Sequence, residues 1–96
     1  MIQYKVIVDN GGCETWTLNG KLHRENGPAM TFPAGSKFWY INGLQHNANG
    51  PAGVYPNESK EWYLEGVEYT EEEYKQKMNP DIVTIKGKKY RLEEIK

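Results

Sequence analysis

The chain has 96 residues, 38% of them hydrophobic, with 12 basic and 13 acidic side chains and a net charge of −1. That length makes one domain with a modest core, and a charge so balanced leaves no electrostatic footprint for nucleic acid or an acidic membrane surface. The single Cys13 has no partner for an internal disulfide, which points to a reducing, cytoplasmic setting, and no segment approaches the roughly 20 apolar residues of a membrane span.

Residues 1–9 open the chain with an alternation. Ile2, Tyr4, Val6 and Val8 share one side, Gln3, Lys5 and Asp9 the other, and Ile7 breaks the pattern. Period two predicts a half-buried strand, and the absence of a long apolar run argues against a signal peptide. Asn10-Gly11-Gly12 reads as a turn and 13–18 as the next strand. Asn19-Gly20 then predicts a type I′ hairpin, whose central residues both need positive φ. The return through Leu22 and His23 ends in the loop Glu25-Asn26-Gly27-Pro28.

The chain then repeats itself. Trp16, Trp39 and Trp62 stand 23 residues apart, Asn-Gly at 19–20 recurs at 42–43, and Asn26-Gly27-Pro28-Ala29 recurs as Asn49-Gly50-Pro51-Ala52. Phe32-Pro33 returns as Tyr55-Pro56 and Ser36-Lys37 as Ser59-Lys60. The second unit reads as a strand at 29–32, a turn at Pro33-Ala34-Gly35, a strand at 36–41, the turn Asn42-Gly43 and a return at 44–46. The third has its long strand at 59–64 and ends in Glu65-Gly66, where Glu in place of Asn predicts a less tightly specified hairpin. A fixed period means stacked structural units, and consecutive short strands joined by tight turns form an antiparallel meander. A residue present in every unit is expected to build the unit rather than to perform chemistry.

After Tyr69 the pattern changes. Thr70 followed by Glu73 is a capping box, the acidic first turn suits a helix dipole, and a short helix over 71–78 should stop at Asn79-Pro80. Tyr69, Tyr74 and Met78 form its expected buried stripe. Residues 80–96 read as a final hairpin. A Gly87-Lys88 turn would pair Ile85 with Tyr90 and Val83 with Leu92, leaving Thr84, Lys86, Lys89 and Arg91 on the other side. The fold class is therefore mainly β: an antiparallel meander of about three hairpin repeats over 10–69, preceded by a strand and capped by one short helix and a C-terminal β-hairpin.

The segment Trp39-Tyr40-Ile41-Asn42-Gly43-Leu44-Gln45-His46, an aromatic strand followed by Asn-Gly and a His-containing return, resembles the MORN repeat and more closely its variant forms. Leu-Asn-Gly-Lys-Leu-His-Arg at 18–24 with Asn-Gly-Pro-Ala at 26–29 is similar to repeats in tailed-phage, giant-virus and bacterial proteins. The resemblance spans about 10–69 and leaves out the helix and the final hairpin. It implies an array of hairpins used as a scaffold or binding surface. Some antitoxin or immunity proteins are built this way, and the chain is similar in size to small phage inhibitors, which would act in the host cytoplasm.

Alternation assigns the side chains to faces. Trp16, Leu18, Trp39, Ile41, Trp62 and Leu64 fall on one side, as an expected core ladder. The other side varies between units: Cys13, Thr15 and Thr17, then Ser36, Phe38 and Tyr40, then Ser59, Glu61 and Tyr63. Variation on a fixed scaffold is where specificity is written, so Phe38, Tyr40, Tyr63 and Glu61 form the candidate partner surface, unless the helix or terminal strands cover it. His23 and His46 occupy equivalent positions, with Tyr69 at the third, which favours a ring that stacks or hydrogen-bonds over a metal ligand or a base. Lys86, Lys88, Lys89 and Arg91 form a secondary basic patch, read first as a solvated hairpin face. No nucleophile motif, phosphate loop or metal spacing stands out, so no cofactor, metal or catalytic residue is expected. The expected function is non-enzymatic protein binding, as an inhibitor of a host defence protein or an antitoxin-like blocker, with a small-ligand or nucleotide sponge as the alternative. Open sheet edges also allow an edge-to-edge homo-oligomer.

Overall fold

A computed structural model describes residues 3–79, 82–85 and 88–91. Its strands are β1 (Lys5–Val8), β2 (Glu14–Leu18), β3 (Lys21–Leu22), β4 (Met30–Thr31), β5 (Lys37–Phe38), β6 (Tyr40–Ile41), β7 (Leu44–Gln45), β8 (Gly53–Val54), β9 (Lys60–Leu64), β10 (Val67–Tyr69), β11 (Ile82–Ile85) and β12 (Lys88–Arg91), with one helix, α1 (Glu71–Met78). The main sheet runs β1-β2-β4-β5-β8-β9-β10, with β3 also on β2, and every pairing is antiparallel. The radius of gyration is 16.5 Å and the extents are 56 × 35 × 18 Å. A compact chain of this length would have a radius near 13 Å. The protein is a slab built around one sheet, which explains its polar composition.

The units repeat bond for bond. Trp16 N–H donates to Ala29 O at 2.7 Å, and Trp39 N–H to Ala52 O at 2.8 Å. His23 N–H reaches Trp16 O at 3.1 Å, and His46 N–H reaches Trp39 O at 3.0 Å. The long strands of the first two units thus each carry two short segments end to end along one edge: their own hairpin return and the segment after the Asn-Gly-Pro-Ala loop. The next long strand takes the other edge of both. Arg24 N–H donates to Tyr40 O and Gly43 N–H to Leu22 O; one unit later Asn47 N–H donates to Tyr63 O and Gly66 N–H to Gln45 O.

This arrangement explains why the expected strand at 36–41 is divided at Trp39. Broken segments flank it on both edges, whereas β2 has the continuous β1 along one side. The type I′ turns appear as expected, with φ of 55° and 80° at Asn19-Gly20 and 51° and 83° at Asn42-Gly43. The third hairpin adopts the same geometry, with Glu65 at 50° and Gly66 at 83°, although a non-Gly, non-Asn residue is strained there. The hydrogen bond from Gly66 to the preceding unit sets that turn, so the weaker local signal does not loosen it.

Two expectations about burial change. β1 was expected to be half-buried, yet Val6, Ile7 and Val8 are 45%, 46% and 61% exposed, and only Tyr4 tucks in, edge-on to Trp16 with ring centroids 5.4 Å apart. Among the described residues β1 ends the sheet and has a neighbour on one side only. The Trp ladder is half-buried rather than enclosed. Among the described residues the most enclosed positions are the small ones, Ala29, Ala52 and Gly53, together with Tyr74, His23 and Leu64. A single-layer repeat closes where backbone meets backbone, and there only a methyl group fits.

Helix α1 begins with the expected capping box: the Thr70 hydroxyl accepts from Glu73 N–H and the Glu73 carboxylate accepts from Thr70 N–H. Of its expected stripe only Tyr74 is buried; Tyr69 is half-buried and Met78 is exposed. The terminal hairpin forms in a different register from the one expected. Ile85 pairs with Lys88 and Val83 with Tyr90, in place of Ile85 with Tyr90. This register sets the apolar Ile85 and Ile82 opposite the charged Lys88 and Arg91, so the apolar pattern did not decide it.

Candidate functional site

The variable face assembles from strand register alone. Cross-strand partners share a side of the sheet. Phe38 lies opposite Met30 and Gly53, Gly53 opposite Glu61, Tyr40 opposite Gln45, and Tyr63 opposite Glu68. Phe38, Tyr40, Glu61 and Tyr63 therefore occupy one face, as their alternation implied.

Phe38 is the middle of a row of three rings. Phe32 lies edge-on to it at 5.9 Å between centroids and Tyr55 edge-on at 5.5 Å, two residues beyond the partners Met30 and Gly53. Phe32 was read as the end of a strand before its turn, and Tyr55 as its counterpart in the next unit. Their diagonal relation to Phe38 depends on register across two ladders, which a single-strand alternation does not contain.

Gly53 lets a polar group into this row. A Cβ there would stand 2.7 Å from Glu61 Oε1, so only glycine leaves room for the carboxylate to cross it. Gln45 Nε2 donates to Glu61 Oε1 at 3.4 Å and to Ala52 O at 3.2 Å. The Tyr55 hydroxyl also bonds to Glu61; burial first, then this carboxylate, pushes that hydroxyl above its ordinary value. Burial, then Glu68 and Glu61, does the same for Tyr63. Both phenols are thereby held neutral, as donors beside an apolar row. Glu61 is half-buried and internally bonded, so it orients the tyrosines rather than standing free.

The helix does not cover this face. Its one buried side chain, Tyr74, packs on Trp62 at 4.8 Å, and Trp62 points to the opposite side from its neighbours Glu61 and Tyr63. The Tyr74 hydroxyl donates to Asn47 O at 2.7 Å and accepts from Gly50 N–H at 3.2 Å. At the other end of the array Trp16 is covered by Tyr4 and by the Arg24 guanidinium, 3.8 Å from the ring centre. Trp16 Nε1 donates to Glu14, which pairs loosely with Arg24 at 3.9 Å.

The histidines join units. His23 Nδ1 accepts the Asn42 N–H at 2.9 Å, and His46 Nδ1 accepts the Glu65 N–H at 2.9 Å. Each ring crosses from one hairpin to the turn of the next. With Nδ1 engaged as acceptor the proton sits on Nε2. In His23 that Nε2 is buried with no hydrogen-bond partner, 3.7 Å from Glu25 Oε1. Tyr69, at the third position, instead lines an open groove of about 710 Å³ with Trp62, Lys60, Glu58, Glu68 and Glu73 among its walls.

Burial, then the Asp9 charge, pushes the Cys13 thiol up and keeps it protonated. Of the expected basic patch, Lys86 lies outside the described residues and Lys88 is exposed. The observed register sets Lys88 opposite Ile85, and Lys89 and Arg91 opposite Thr84 and Ile82. Among the described residues, no group of three His, Cys, Asp or Glu side chains is placed to hold a metal ion, and no helix is long and apolar enough to cross a membrane. Comparison with family models, curated proteins and solved structures finds no match to this chain.

Proposed function

We propose that the chain is a non-catalytic protein-binding module whose partner docks on the face centred on Phe38. The observation that carries this is the row Phe32–Phe38–Tyr55, continued by Tyr40 and Tyr63, on the side of the sheet away from the helix. Aromatic rings fixed by edge-to-face contact lose little entropy when a partner covers them, and phenol hydroxyls held neutral supply donors around an apolar centre. The titratable groups that would serve catalysis are otherwise engaged: both histidines bind turn amides through Nδ1, and Cys13 is kept as a thiol. Acting by occupation of a surface, the protein would block its partner in the manner of an inhibitor or antitoxin, as the resemblance to variant MORN repeats suggests.

The test is the double variant Phe38→Ala with Tyr40→Ala. It should keep a cooperative melt and lose partner capture from lysate by well over tenfold, since a hot-spot aromatic contributes about 2 kcal/mol or more. Unchanged capture by this folded variant would overturn the assignment of the face. The groove beside Trp62 and Tyr69 favours a second reading, a small ligand stacked between rings. Its carboxylate-rich walls suit a cation and disfavour a nucleotide.

A further inference from the structure

We propose that β1 is the seam of a two-fold symmetric dimer, in which two copies pair β1 antiparallel to β1, centred on Ile7, and fuse their sheets into one. The surface is separate from the Phe38 face. The backbone supplies the first reason. Asp9 N–H donates to Cys13 O, the Thr15 hydroxyl to Ile7 O and the Thr17 hydroxyl to Lys5 O. Residues 5, 7 and 9 therefore turn their peptide groups toward β2. Those of Tyr4, Val6 and Val8 point outward from β1, the last strand of the sheet among the described residues, where a further strand would bond them.

The side chains supply the second reason. The segment Lys5-Val6-Ile7-Val8-Asp9 complements itself when reversed. Centred on Ile7, it sets Lys5 of one copy against Asp9 of the other, Val6 against Val8, and Ile7 against itself. Val6 and Val8 then exchange their outward backbone bonds, and Ile7 falls at the non-hydrogen-bonded pair on the axis. Other registers fail on the same residues. A shift by one sets an outward peptide against an inward one. Centring on Val6 or Val8 places Lys5 or Asp9 against Ile7. Parallel pairing sets like charges together. Lys5 makes no ion pair within 4.0 Å among the described residues, so its charge is available to the second copy. Asp9 is held at the strand end by accepting the Gly11 and Cys13 amides on Oδ1, which fixes its charge in place. Three consecutive exposed apolar residues on an open edge, bounded by one positive and one negative charge, fit a second copy better than solvent.

Sedimentation velocity and light scattering on the full chain test the seam. The wild type should run as a concentration-dependent dimer. Ile7→Lys, which sets two lysines face to face on the axis, and Lys5→Glu, which sets Glu against Asp9 at both ends, should each weaken it about tenfold or more, and at concentrations dilute enough for all three chains to be monomeric their melting temperatures should agree. Register is read by cross-linking in a Cys13→Ser background. Ile7→Cys should form a covalent dimer under mild oxidation, because a non-hydrogen-bonded pair brings Cα atoms to about 4.5 Å, within disulfide reach. Val8→Cys, which faces Val6, should cross-link at least about tenfold more slowly. A wild type that stays monomeric, species growing beyond a dimer, a dimer indifferent to both charge variants, or faster linking through Val8→Cys would each overturn the proposal.

Discussion

The helix is fastened to the repeats chiefly through Tyr74, and removing one oxygen from that residue measures the fastening. In Tyr74→Phe the ring keeps its place against Trp62, 4.8 Å away. The bond to Asn47 O at 2.7 Å and the bond from Gly50 N–H at 3.2 Å are both lost. A hydrogen bond contributes about 1 kcal/mol net, and stranding a part-buried partner costs about 1–3 kcal/mol. The expected loss is about 2 kcal/mol. Tyr74→Ala also removes a buried ring, worth about 3–5 kcal/mol in a core. Urea unfolding followed by tryptophan fluorescence reads both, because Trp62 lies beneath the altered group. Glu71→Gln is the comparison. It alters the exposed pair with Lys75 and should change stability by less than about 0.5 kcal/mol. A Tyr74→Phe variant as stable as the wild type would show that the helix does not depend on this hydroxyl, and the docking described above would be wrong.

Three other perturbations follow from particular residues. Glu65→Asn and Glu58→Gly relieve φ values of 50° and 70° and should each add about 1 kcal/mol, seen as a higher melting temperature; no gain from either would mean the strain is not there. His46→Ala removes the acceptor of the exposed Glu65 N–H and should cost about 0.5–1.5 kcal/mol, with His23→Ala costing more because that ring is the more buried; the reverse order in urea melts would contradict the joint geometry. Gly53→Ala should destabilise by clashing with Glu61, and Glu61→Ala in the same chain should restore much of the loss; a double-mutant cycle showing no coupling would remove the reason for glycine at that position.

Much of this was legible in the sequence because the period is strict. The hairpin turns, the antiparallel order, the capping box at Thr70 and the sides occupied by Phe38 and Trp39 all follow from local signals that agree with one another. The missed features depend on what lies across the sheet. Val6 and Val8 alternate like core residues, but alternation states which side a residue faces and not whether anything covers that side. Phe32 and Tyr55 join the Phe38 row only through diagonal neighbours on two other strands. The histidine contacts span hairpins: the sequence shows the equivalence of His23 and His46, and the turn amide each ring accepts appears only when the units are stacked. In the final hairpin the expected register kept apolar residues together, and the observed pairing of Ile85 with Lys88 does not.

The bonds from His23 to Asn42 and from His46 to Glu65 are the same bond one unit later, as are Gly43 to Leu22 and Gly66 to Gln45. That identity gives the gene a way to change length. An in-frame duplication of residues 32–54 would present each new hairpin with a predecessor and a successor it already fits, and both ends would keep their covers, Tyr4 with Arg24 at one and Tyr74 at the other. Recombination could thus lengthen or shorten the array in whole steps without inventing a contact. Each step would add or subtract one copy of Phe38 and Tyr40, so the breadth of the aromatic face would be set by copy number, and its chemistry by point mutation within a copy.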